Sequence, residues 1–156
     1  MVSMSDYMKS RPDKRILSIG EQKAIIEKAK KLVIDEILPG NDITIIMLTG
    51  GAVNHNMGKY AKPLDDVHKR QYSDVDFVVV VKNKYRINAK WELIAKREHW
   101  EVYRIGYVNG KYPIECLFLK EQYLSNENII REGESKGIPM GKNSKTPYEI
   151  IFESRF

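Results

Sequence analysis

Two stretches restrict this chain more than any other feature: "ITIIMLT", Ile43 to Thr49, and "DVDFVVVV", Asp74 to Val81. Both are rich in β-branched residues and nearly unbroken in their apolar character, which suits strands. A strand points alternate side chains to opposite faces. A run that is apolar on both faces therefore has to be covered on both faces. The chain needs helices or folded loops above and below a sheet, which is an α/β arrangement. Its 156 residues, 42% of them apolar, are enough for one such domain with a real core.

The remaining segments supply the covers. "SIGE", Ser18 to Glu21, fits a capping box, and Ile25, Ile26, Ala29, Leu32, Val33 and Ile37 follow at helical spacing. Pro39 and Gly40 end that helix. Residues 1–17 read as a poorly tied arm, leaving 18–156 as a single domain. From Ala52 to Tyr72 the chain is polar and carries Gly58 and Pro63, which predicts a short helical turn and then a long loop. "INAKWELIAKREHW", residues 87–100, predicts a helix with Ile87, Trp91, Ile94 and Ala95 on one side. "EVYRIGYVNGKYPIECLFL" predicts a hairpin about Asn109-Gly110, with Pro113 at an edge or a bulge. One or two short helices are expected over residues 120–137, before a Gly/Pro/Asn/Ser-rich tail that turns apolar at "YEIIF". The predicted class is a small α/β (α+β) sheet backed by helices.

Net charge is +5 and the pI is about 9.2. That balance suits an anionic partner such as a nucleotide or RNA, and equally a lysine-rich solvated surface. A single cysteine, Cys116, leaves no internal disulfide and points to a reducing compartment. No apolar window reaches the ~18 residues of a membrane span, and the N-terminus shows no apolar signal region. The expectation is a cytoplasmic protein with no membrane partner.

Asp74 and Asp76 are two apart, so a strand places both carboxylates on one face. Two like charges on an otherwise apolar strand are costly unless a cation lies between them. Mg²⁺, which takes a few carboxylates plus phosphate oxygens and water, fits that role, and Mn²⁺ is its alternative. Gly50 and Gly51 close the first apolar run, where glycines let backbone N–H groups approach a phosphate. Glu115 interrupts apolar "YPIECLFL" as the aspartates interrupt their strand. On the residues alone, the same pattern also fits solvated acids at a strand mouth, a plain tight turn, and a surface glutamate. Trp91, Trp100, Tyr103, Tyr107 and Tyr112 read as core and edge residues rather than a base-stacking platform. His55, His68 and His99 lack zinc-site spacing.

The glycine pair, "SDVDFVVV" and the later "IECLFLKEQYL" together resemble the minimal nucleotidyltransferases of the DNA polymerase β-like superfamily. The likeness runs from about Ile43 to Glu121, and "SDVDF" is its most specific part. It implies a mixed sheet with flanking helices, a nucleoside triphosphate donor, Mg²⁺, and transfer of a nucleoside monophosphate. By matching position, Gly50 and Gly51 would contact the triphosphate, Asp74 and Asp76 would hold metal, and Glu115 would be the third carboxylate, helping to activate the acceptor hydroxyl. Gly50-Gly51 stands where the family commonly has Gly-Ser. The loop before the aspartates is longer than in small members, with Lys59, Lys62, Lys69 and Arg70 as candidate phosphate contacts. Some members act with a helical HEPN-type partner as toxin–antitoxin pairs, and the resemblance allows such a partner here. Two functions are expected in competition: transfer of a nucleotide, AMP foremost, to a protein, RNA or small-molecule hydroxyl; or a catalytically weakened module of the same fold that docks on a partner.

Overall fold

The structure, a computed structural model, describes residues 13–62 and 71–154. A six-stranded sheet forms its centre: β2 (Ile43–Thr49), β4 (Val75–Val81), β5 (Glu92–Lys96), β6 (Trp100–Val108), β7 (Tyr112–Lys120) and β8 (Tyr148–Glu153). Their order across the sheet is β5-β6-β7-β4-β2-β8. Only β4 and β7 run parallel; every other neighbouring pair is antiparallel. The sheet is therefore mixed. Its two strands with the strongest apolar runs, β2 and β4, lie side by side near its middle.

Both faces are covered, as those runs require. Helix α1 (Ile19–Ile37) lays Ile25, Ile26, Ala29, Val33 and Ile37 against Ile46, Leu48, Phe77 and Val79. Its start carries the N-cap half of the expected capping box. The Ser18 hydroxyl accepts from the Glu21 N–H and donates to the Glu21 carboxylate. On the other face, Met47, Val78, Val80, Leu117 and Leu119 meet Ile129 and Met140. Ile129 belongs to helix α2 (Glu127–Ser135), capped by the Asn126 side chain. A 3-10 turn, Glu121–Ser125, leads into α2, so two short helical elements follow β7 as expected.

Within the six-stranded sheet, several segments depart from their sequence-based reading. Residues 87–100 form no helix; β5 occupies Glu92–Lys96 and pairs antiparallel with β6. The helical spacing of Ile87, Trp91, Ile94 and Ala95 is outweighed by pairing and stacking: Trp91 lies on Phe118, and Arg97 N–H bonds Trp100 C=O to reverse the chain. The parallel β4–β7 pair is thus spanned by a strand hairpin instead of a helix. Pro113 sits in a central strand, not at an edge, and the irregularity expected as the alternative lies beside it, between Arg104 and Gly106 of β6, opposite Glu115 and Ile114. Pro113 lies one residue before the first β4 partner, Ile114, so its missing N–H breaks no bond to β4. The apolar tail forms edge strand β8, which the sequence reading had not assigned.

A second, two-stranded sheet joins β1 (Lys14–Ile16) to β3 (Gly58–Tyr60). The described end of the expected arm is therefore a paired strand, as is a piece of the expected long loop. Among the described residues no helix is long and apolar enough to cross a membrane.

Candidate metal centre

Pairing register assembles the acids. Antiparallel β2 and β4 set Thr49 opposite Asp76, so the end of the first strand adjoins the start of the second. Parallel β4 and β7 set Asp76 beside Glu115. Asp74 lies immediately before β4. One carboxylate oxygen from each of Asp74, Asp76 and Glu115 falls within 4.8 Å of the others. The aspartates are half-buried and Glu115 is 9% exposed.

The donors fit a hard divalent cation. All are oxygens, and oxygens on opposite sides of such an ion stand about 4–5 Å apart. Gly50 is part of the same construction. Its φ is +73°, and a Cβ there would stand 2.8 Å from Asp76 Oδ2. Glycine at position 50 thus leaves room for the carboxylate as well as permitting the turn. Gly51 differs: the 3-10 turn Gly50–Ala52 carries it onward, and a Cβ would meet Asn56 C=O at an ordinary 3.6 Å. A cleft of about 200 Å³ opens at the acids, lined by Thr49, Gly50, Asp76 and Glu115 below and by Gly137 and Ile138 after α2. A larger cavity of about 560 Å³ lies elsewhere, between Thr44 and Ile45 of β2 and the 140–145 segment.

A cation also faces this site. Arg104 of β6 lies opposite Glu115 in register, with Nη2 3.5 Å from Glu115 Oε2. Its Nη1 is 3.5 Å from Glu92 and 3.4 Å from the Tyr107 hydroxyl. Burial opposes its charge, but the Tyr107 hydroxyl, Glu115 and Glu92 more than offset this and hold its pKa above the ordinary arginine value. Cys116, one residue along, points into the α1 core, where burial first and then Asp76 and Glu115 push its thiol well up. The sequence reading missed Arg104. The signal was present: a two-residue turn at Asn109-Gly110 sets 104 against 115. Near the turn the pairing is shifted by one, Val108 to Tyr112, and an irregularity between Arg104 and Gly106 shifts it back.

The other candidates among the described residues have surroundings of their own. Lys59 lies over the Tyr72 ring, and Lys62 is exposed. Lys69, Arg70 and His68 lie outside the described residues. His55 lines a cavity beside α1, and His99 packs edge-on to Tyr123. Trp100, Tyr103 and Tyr112 are buried and Trp91 stacks on Phe118, so they build core as expected; Tyr107 is 48% exposed. Compared with protein-family models and with curated proteins, the chain finds no match in either.

Proposed function

We propose that this protein is a metal-dependent nucleotidyltransferase of the minimal, polymerase β-like kind, moving a nucleoside monophosphate from a nucleoside triphosphate to an acceptor hydroxyl. The observation that carries this reading is the approach of three carboxylates to within 4.8 Å beside Gly50. AMP is the foremost group for transfer, and a protein, RNA or small-molecule hydroxyl is its acceptor.

Asp74, Asp76 and Glu115 would hold Mg²⁺ or Mn²⁺. When bound, the metal would neutralise triphosphate charge and lower the pKa of the attacking hydroxyl. Gly50 keeps the approach to Asp76 open for a phosphate group. The cleft walls at Thr49 and Ile138 orient the donor against the acids. The acceptor oxygen bonds to the α-phosphorus, the bond to the α–β bridging oxygen breaks, and pyrophosphate leaves. Glu115, the most buried acid, accepts the hydroxyl proton.

The test pairs transfer with stability. Asp76→Asn keeps the shape and removes one charge. Transfer of label from triphosphate should fall on the order of a thousandfold, which is about 4 kcal/mol of transition-state stabilisation. The thermal midpoint should hold or rise, since a like-charge contact is relieved. Unchanged transfer would reject catalysis by these acids and favour the docking module. A lost fold would make Asp76 structural.

A further inference from the structure

Glu115 is shared between two claims. It belongs to the three-acid cluster, and it is the carboxylate that Arg104 faces across the β6–β7 ladder. The Arg104 side chain is only 11% exposed, so its charge is poorly screened by solvent. Yet its contacts are loose. Its ion pairs to Glu115 and Glu92 are both 3.5 Å, and its buried Nε has no hydrogen-bond partner among the described residues. A guanidinium in a settled bidentate pair would show shorter bonds, near 2.7–2.9 Å. Arg104 instead stands between two carboxylates, with the Tyr107 ring 5.8 Å from its centre as a third support.

We propose that Arg104 is a resident counter-cation for Glu115, a positioning residue that competes with the divalent metal for this carboxylate and withdraws toward Glu92 and Tyr107 when metal binds. The inference rests on the three acids being a metal site. Glu92 is half-exposed and lies across the β5–β6 ladder from Arg104, so it can take the guanidinium without chain movement. Tyr107 is equally placed to receive it. The device keeps Glu115 neutralised and aimed at the cluster before metal arrives. It also weakens metal binding by the protein alone. A triphosphate brings its own oxygens to the metal, so nucleotide and metal would enter together.

The experiment is Mn²⁺ titration of the nucleotide-free protein, followed by electron paramagnetic resonance of free Mn²⁺, at one pH and ionic strength. A neighbouring unit charge shifts a carboxylate's cation (proton) affinity by roughly 1–3 decades. Arg104→Met should therefore bind Mn²⁺ about tenfold or more tightly than wild type. Arg104→Lys, which keeps the charge, should stay near wild type. Glu92→Gln removes the withdrawal site from an exposed position where folding is not at risk. It should weaken Mn²⁺ binding, because Glu115 is then the one carboxylate left to Arg104 and the neutral Tyr107 hydroxyl is the only withdrawal site that remains. Equal affinity in wild type, Arg104→Met and Glu92→Gln would overturn competition while leaving the metal site standing. Mn²⁺ binding by none of them would overturn the metal reading and this inference with it. Should Arg104→Met fail to fold, the Glu92→Gln result decides by itself: weaker binding supports the competition, and unchanged binding ends it.

Discussion

Two adjacent glycines in this chain have different duties, and the difference is testable. Gly50 has a positive φ and its missing Cβ faces Asp76; Gly51 has neither constraint. Gly50→Ala should cost about 1–2 kcal/mol or more from the backbone alone, and should also displace Asp76. Gly51→Ser should lie within about 0.5 kcal/mol of wild type. Denaturant unfolding of both variants measures this, and equal losses would mean that the turn tolerates either residue. The sequence marked both glycines alike, because neighbours in sequence reveal neither φ nor the group across the strand. Asp74 and Asp76 were legible for a simpler reason: acids in an apolar run stand out wherever the strand goes. Arg104 was not, since an arginine in a hairpin is ordinary until its register sets it against Glu115.

The elements that failed to announce themselves are those whose form comes from pairing. β2, β4, β6, β7 and α1 carry their periods and turn signals internally. β5 does not: "ELIAK" is exposed at four of its five positions and lacks the two-residue alternation of a half-buried strand. The segment after α2 is likewise shaped by contacts. Gly133 lets Met140 fold back against the helix, where a Cβ would meet Sδ at 2.4 Å. Glu134 then fastens that return. Its carboxylate accepts from Met140 N–H at 3.0 Å and from the Thr146 hydroxyl at 2.8 Å. Burial opposes its ionisation, but hydrogen bonds from Ser144, Met140 and Thr146 outweigh burial and lower its pKa. The folded pKa is below the unfolded one, so the stabilisation is present above the unfolded value and lost as pH falls through the folded one. Glu134→Gln should lower the thermal midpoint near pH 7. Its deficit should shrink as pH falls below the ordinary glutamate value and on through the lowered one, where the wild-type carboxylate itself takes a proton. A constant deficit from pH 3 to pH 7 would show that charge at Glu134 is not what ties the return.

Across the whole molecule, Cys116 offers a single reporter. It is fully buried in central strand β7, and its thiol is held neutral by burial and by the nearby acids. Alkylation in native buffer should be slow and should follow the population of opened molecules, rising with denaturant in step with unfolding. Fast labelling of folded protein would mean that β7 separates from its neighbours well below the global transition. The register of the centre also has a consequence for synthesis. Glycine turn, first acids and third acid come from three separate strands, and parallel β4 and β7 meet only after the intervening β5–β6 hairpin has been made. Such non-local closure is slow compared with local helix or hairpin formation. A chain emerging from its N-terminus thus carries Asp74 and Asp76 long before Glu115 arrives beside them. No cation can be gripped by all three until the last central strand docks, so the young chain would carry the proposed metal centre in pieces through the nucleotide- and metal-rich interior of a cell.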